Sequence, residues 1–358
     1  MFYIYEFIGL IFIFFSPIIF FFRILIGKED PNRFLEKFCL YKNINKVNKS
    51  IWFHGASVGE IMSIIPIIKN LEKNKKIKND DGAFISTQNT DPKILITKSD
   101  GSYLYLTTDL ATVLNRLKKE KFDKTIYVVD KRQSLHFQQL FSCLKYFEFD
   151  EKEYQHVAFG TLNDSKGNPF KTRDGGTKEL IELFDETKAY IKKINQKLNV
   201  ETIEILANTV LTYSDLITNR KTDYKFDLEK FTNINGKTGI YIQYSYVRAK
   251  KLYKDSKQST EKLNLISKSF DLNDKKLVKS LIKFEYYFKQ SLENNEPHHL
   301  ADYLYELSNS FNSMYQGQNI LSNKNEEIKS NKIYLTKTFL NYSELIMKSL
   351  GIEPVSEM

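Results

Sequence analysis

Cysteine is nearly absent from this chain. Its 358 residues include two, Cys39 and Cys143, far apart and in no metal-ligand spacing. That argues for a reducing compartment and against a zinc site or redox chemistry; no metal centre is expected. Acidic residues are the minority charge: 44 Asp and Glu stand against 53 Lys and Arg, a net charge of +9. Such a surplus suits an anionic partner, nucleic acid or an anionic lipid surface, or reflects only a lysine-rich coding preference. Charge of either sign is missing from Phe7 to Phe22. The apolar stretch extends from Phe2 to Ile26 if Glu6 and Arg23 sit near the interfaces, long enough for one membrane crossing. No basic region precedes it and no small-residue cleavage site follows it, which disfavours a removable secretory signal. Arg23, Lys28, Arg33 and Lys37 then place the remainder in the cytoplasm by the positive-inside rule. Residues 1–27 are therefore expected to tether cytoplasmic domains to the inner membrane; a buried soluble helix is the alternative. With 42% hydrophobic residues, the rest is globular and long enough for two or three domains.

Two phrases carry most of the information: IWFHGASVGE at residues 51–60 and GNPFKTRDGGT at residues 167–177. In the first, IWFHGA reads as a short buried strand and SVGEIMSIIPIIKNLEKN as the helix after it, with GAFIST at residues 82–87 as the next parallel strand. Ser57 and Glu60 have the spacing of a capping box, in which both side chains satisfy free amides at the helix start. The phrase also resembles the amino-terminal domain of the 3-deoxy-D-manno-octulosonic acid (Kdo) transferases. That resemblance gives Glu60 a second role, as the general base that deprotonates the attacking sugar hydroxyl of lipid A. The donor would be CMP-Kdo, and nothing after residue 92 resembles the domain that holds it. Residues 28–92 are read as a fragment of such a transferase, a partial βαβ unit.

From residue 93 onward the local physics is that of a nucleotide-binding sheet followed by helices. YLYLT alternates as a strand and TTDLATVLNRLKKEKF follows as a helix with Asp109 in its first turn. IYVVD at 126–130 is a second strand, with a helix beginning near Gln133. From about residue 235 the spacing is helical throughout, near 239–256, 273–292, 296–317 and 331–350. Tyr241, Tyr244, Tyr246 and Tyr253 are interleaved with Arg248, Lys250 and Lys251, a mixture suited to phosphates and unstacked bases and equally to core packing.

The ordered phrases SDGSYLYLTTDLA, FDKTIYVVDKRQSLHFQQLF, HVAFGTLNDSKGNPFKTRDGGT, NRKTDYKFD and TGIYIQYSYVRAKKL resemble the carboxy-terminal portion of arginyl-tRNA synthetase, a class I enzyme. The resemblance implies an arginine-tRNA ligase that uses ATP, with Mg2+, and has arginine and tRNA(Arg) as partners. It implies a class I catalytic half at 93–198, connecting helices at 199–234, an anticodon-binding helical domain at 235–358, and a monomer. Tyr105, Asp109 and Gln133 match residues that hold arginine; helix-dipole stabilisation for Asp109 and core packing for Tyr105 are the structural alternatives. FKTRD occupies the place of the class I signature loop, so Lys171 and Arg173 would contact phosphates, or form only an exposed basic turn. Tyr244, Arg248, Tyr315 and the terminal Met358 would face the tRNA. Class I enzymes also need an H-x-G-H element, and none of the five histidines forms one. The expected fold is a partial Rossmann-like α/β sheet, then an all-α bundle, behind an amino-terminal transmembrane helix; arginine activation by this chain alone is expected to be very weak or nil.

Overall fold

The computed structural model describes residues 52–53, 64–100, 102–149, 152–163, 180–257, 269–316 and 319–358. The proposed membrane segment, Glu60, Lys171 and Arg173 lie outside them. Among the described residues no helix is long and apolar enough to cross a membrane.

The first sheet is parallel. Strand β1 (Trp52–Phe53) pairs with β5 (Lys124–Asp130), which pairs along its whole length with β6 (Glu153–Phe159). Helix α1 (Ile64–Lys73) follows β1, and α3 (Ser134–Tyr146) crosses over from β5 to β6. The strand in IWFHGA is thus part of the same sheet as the strands of the later residues.

GAFIST departs from the expectation of a parallel strand. It forms β3 (Ala83–Ser86), antiparallel to both β2 (Ile77–Asp80) and β4 (Leu95–Thr97). The reason is local: Asp81 and Gly82 both take positive φ, 50° and 84°, the geometry of a two-residue hairpin turn. Leu71 and Ile77 pack in one core with Ile94, Ile96, Leu110 and Tyr127, so burial runs uninterrupted across residue 92.

YLYLT is not a strand either. Leu104 is the last extended residue, and helix α2 (Tyr105–Lys119) begins at Tyr105. Leu106, Leu110, Val113 and Leu114 are buried, a 3.6-residue period that outweighs the short alternation. The Thr107 hydroxyl donates to the Ile96 carbonyl and ties the helix start to β4.

Beyond β6, a two-residue parallel pair of β7 (Leu162–Asn163) and β8 (Tyr224–Lys225) brackets α4 (Leu180–Ile194) and α5 (Val200–Leu216). Asn199 caps α5 through the Thr202 amide at 2.7 Å. Short α6 (Leu228–Phe231) leads to α7 (Gly239–Ser256), capped by the Thr238 hydroxyl. The bundle is completed by α8 (Leu272–Leu281), α9 (Phe284–Asn294), α10 (His298–Gln316) and α11 (Glu326–Ser349). The helix expected over 273–292 is broken between Leu281 and Phe284.

Polar contacts also join the helices of the bundle. Lys332 of α11 is 1% exposed, and its ammonium reaches Asp274 Oδ1 at 2.7 Å and Asp271 Oδ2 at 2.8 Å. Its cost of desolvation is offset by that double pairing. Near the carboxyl end, the Gln243 amide donates to the Glu353 carbonyl at 2.7 Å and its oxygen accepts from the Val355 amide at 3.0 Å, which fastens the final residues to α7.

Candidate functional site

Asp130, at the carboxyl end of β5, accepts from the Arg132 backbone amide at 2.8 Å and from its guanidinium at 2.9 and 2.8 Å. Those bonds hold its carboxyl below the usual range, the Arg132 side chain first among the causes. They also set the 3-10 turn Lys131–Gln133 that starts α3. One turn later, His136 Nε2 lies 2.6 Å from Asp109 Oδ2, where the imidazole N–H donates to the carboxylate. Asp109 is 13% exposed and His136 21%.

The Phe137 ring stacks on His156 at 4.4 Å and meets His136 edge-on at 5.0 Å. His156 Nε2 is 3.0 Å from the Val129 carbonyl. A carbonyl only accepts, so the proton sits on Nε2. Burial lowers the His156 pKa, against the raising effect of that hydrogen bond, and favours the neutral ring.

Of the residues expected to hold arginine, Asp109 alone is inside this cluster. Tyr105 is 81% exposed, which excludes core packing; it shares a helix face with Asp109 at i, i+4. Gln133 is also exposed, at the end of the 3-10 turn. Sequence reasoning passed over His136 and His156, though QSLHFQQLF placed His136 in the first turn of a helix beside a strand end.

A cavity of about 430 Å³ lies against β5 and β6, lined by Val128, Val157, Phe159, Gly160, Arg220 and Tyr224 among others. Glycine is required at 160: a Cβ there would come within 2.6 Å of the Thr222 carbonyl oxygen. The Asp223 carboxylate accepts from the Thr161 amide at 2.7 Å and pairs with Lys131 at 2.9 Å. The Thr161 amide is the main reason its pKa falls to about 2, with Lys131 next. Leu162, Asp215, Leu216 and Tyr224 are shared with a neighbouring cavity of about 680 Å³.

The helical surface is organised differently. The Arg248 guanidinium lies over the Tyr244 ring at 4.4 Å and the Tyr315 ring at 4.8 Å. It donates to the Tyr244 hydroxyl and, at 3.1 Å, to Asn312 Oδ1. Asn312 in turn donates to Tyr241 and Ser245 at 3.0 and 2.7 Å. Tyr244 and Met358 line a further cavity of about 430 Å³, walled by Tyr190, Ile194, Leu206 and Ile240. The four residues expected to face RNA thus form one continuous region, with partly exposed rings and a fixed cation. Tyr246 instead is buried, and its hydroxyl donates to Glu344 at 3.2 Å.

Comparison with known proteins extends this picture. A family model described as tRNA synthetases class I (R), catalytic domain, matches residues 20–228. A second, described as DALR anticodon binding domain, matches residues 242–358. The arginine–tRNA ligase of Francisella tularensis subsp. novicida is 36% identical over 297 residues, 80% of this chain and 51% of the relative. That of Agathobacter rectalis is 34% identical over 345 residues, 89% of this chain and 57% of the relative. The chain therefore spans about half the length of the curated relatives it matches. Among solved structures, the arginyl-tRNA synthetase of Plasmodium falciparum aligns with a TM-score of 0.69 at 25% identity, covering 84% of this chain and 53% of the other. The Thermus thermophilus enzyme aligns at 0.71 with 18% identity, covering 86% and 60%, a likeness of fold.

Proposed function

We propose, from the premise that this chain belongs to the class I (R) tRNA synthetase family matched over residues 20–228, that it is an arginine-tRNA ligase or the tRNA-facing half of one. Its substrates are then arginine, ATP and tRNA(Arg). The observation that carries this reading is the convergence of Tyr244, Arg248 and Tyr315, from two helices, beside the Met358 cavity. Unstacked bases have aromatic faces there to stack on, worth about 1–3 kcal/mol per base, and Arg248 supplies a guanidinium plane already held in place.

At the sheet end, Asp109 offers a half-buried carboxylate, oriented by His136, to the guanidinium or ammonium of arginine. Lys171 and Arg173 take the signature-loop role and lower the barrier by facing the charge that develops on pyrophosphate. Mg2+ prefers oxygen ligands. Among the described residues the one cluster of three potential metal ligands contains two histidines, which suits magnesium poorly, so the ion would enter with the phosphates of ATP. The H-x-G-H element is missing from the sequence, and aminoacylation by this chain alone is accordingly very weak or nil.

The domain limits at residues 198 and 234, the inner-membrane tether of residues 1–27 and the monomeric state belong to the same proposal; a limit at residue 92 does not, because one core crosses it. The tether rests on the uncharged run from Phe7 to Phe22, and extraction of the protein by alkaline carbonate would overturn it. The second reading, Kdo transfer to lipid A by Glu60, gains no observation in its favour.

The test is competition binding with purified tRNA(Arg) and other tRNAs across a salt titration. The proposal expects tRNA(Arg) to compete best at every salt concentration, and equal competition by all tRNAs would sink it. Aminoacylation with arginine and ATP on the same preparation measures how much catalysis the chain retains.

A further inference from the structure

The turn between α9 and α10 gathers metal-ligating side chains that the preceding assignments leave unused. Glu296, His298 and His299 each offer one donor atom within 4.8 Å of the others, and all three residues are half-buried. The chain path makes this possible. Asn295 takes φ 50° and closes α9, and Pro297, which lacks an amide hydrogen, fits immediately before a helix start. His298 and His299 then open α10 with their ring centroids 4.1 Å apart.

Hydrogen bonding does not satisfy this cluster. His299 Nε2 and Glu296 Oε2 are 3.2 Å apart, and Glu296 Oε1 takes Lys221 Nζ at 3.0 Å. His298 Nδ1 is buried with no hydrogen-bond partner. A buried polar atom without a partner is unfavourable, and a ring nitrogen is relieved of that state when it donates its lone pair to a cation.

We propose that Glu296, His298 and His299 form a site for a divalent transition cation of the zinc class, with two imidazole nitrogens and one carboxylate oxygen as ligands and water completing the tetrahedron. Imidazole ligands select against magnesium and calcium, which take oxygen. Donor atoms around a tetrahedral zinc stand roughly 3.4 Å apart, so a group already within 4.8 Å closes by side-chain rotation without moving the helix. Two cations lie nearby. Lys221 is 60% exposed and can turn to solvent, and Arg220 is engaged with carbonyls, Asn295 at 2.8 Å and Ala158 at 2.5 Å. Since Arg220 thereby joins this turn to the end of β6, a bound metal would stiffen the joint between the sheet and the helical bundle. The inference rests on these side chains and is independent of RNA binding.

The experiment uses the whole chain, stripped with chelator and titrated with CoCl2 and then ZnCl2 near neutral pH. One equivalent of cobalt should bind with a visible ligand-field band that zinc removes and equimolar Mg2+ does not. His298→Asn and His299→Asn should each weaken binding by about tenfold or more, with helix content unchanged by circular dichroism. Wild-type protein that binds no cobalt at about 100 µM, roughly 5.5 kcal/mol of affinity, would overturn the proposal. So would retention of the affinity in the double asparagine variant, or displacement by Mg2+.

Discussion

The sheet end and the helical surface were expected to carry comparable numbers of functional residues, yet the structure assembles them to different degrees. On the helical surface Tyr244, Arg248 and Tyr315 come together around one guanidinium and adjoin the Met358 cavity. At the sheet end Asp109 meets His136, while Tyr105 and Gln133 stand exposed. Helix geometry accounts for much of the contrast. Tyr244 and Arg248 are four residues apart and are neighbours on any helix, so only the packing of α10 had to be added. A site at the end of a parallel sheet is built from loops distant in sequence, and each loop must be positioned separately.

The largest expected effect separates the stability of the two regions. Lys332→Ala leaves Asp274, 1% exposed, as a buried charge without its ammonium, which should cost about 3–5 kcal/mol. Chemical denaturation followed by far-UV circular dichroism should show the bundle melting earlier, and a bundle transition unmoved by the substitution would mean that the pair contributes little. Next, Asp109→Asn removes the negative charge offered to the substrate at the sheet end. Loss of a charge-assisted bond of about 1.5–3 kcal/mol predicts arginine affinity lower by roughly tenfold or more in calorimetry, with tRNA affinity unchanged. Arg248→Ala should do the converse: it removes the cation between two rings and should weaken tRNA binding by about 1–2 kcal/mol while arginine binding persists. If either variant weakens both ligands equally, the two regions do not act separately.

The smallest expected effect is on pH dependence and concerns the sheet end. Asp223 has its pKa lowered from 3.8 to about 2, by the Thr161 amide first and Lys131 next. Its stabilisation is complete above about pH 4 and is lost as pH falls from there through 2. His156 is lowered from 6.5 by burial, so the unfolded chain binds the proton more readily, and stability should decline as pH drops below 6.5. Thermal melts of Asp223→Asn and His156→Gln should each lose their part of the acid slope; unchanged profiles would remove these groups from the linkage.

Legibility in the sequence followed the length of the pattern. The long helical periods after residue 235 produced helices close to their expected limits, apart from the break between Leu281 and Phe284, because an amphipathic stripe repeats over many turns. Short patterns misled. YLYLT alternates over too few residues to compete with the 3.6-residue period that buries Leu106, Leu110 and Val113. GAFIST was apolar enough for a buried parallel strand, and the signal for its antiparallel pairing lay just before it in Asp81-Gly82, whose positive φ values make the turn. His136 was legible as an early residue of a helix, but no local rule could name Asp109, 27 residues earlier, as its partner.

By itself, then, the sequence determined strand β5 and the helix after it, the helical run beyond residue 235, the excess of positive charge and the pairing of Tyr244 with Arg248 on one helix face. These follow from side-chain periodicity and formal charge, which are local properties. Only the tertiary structure decided that β1 joins β5, that Tyr315 closes over Arg248, and that donor atoms of Glu296, His298 and His299 lie within 4.8 Å of one another. Such juxtapositions depend on which faces pack together.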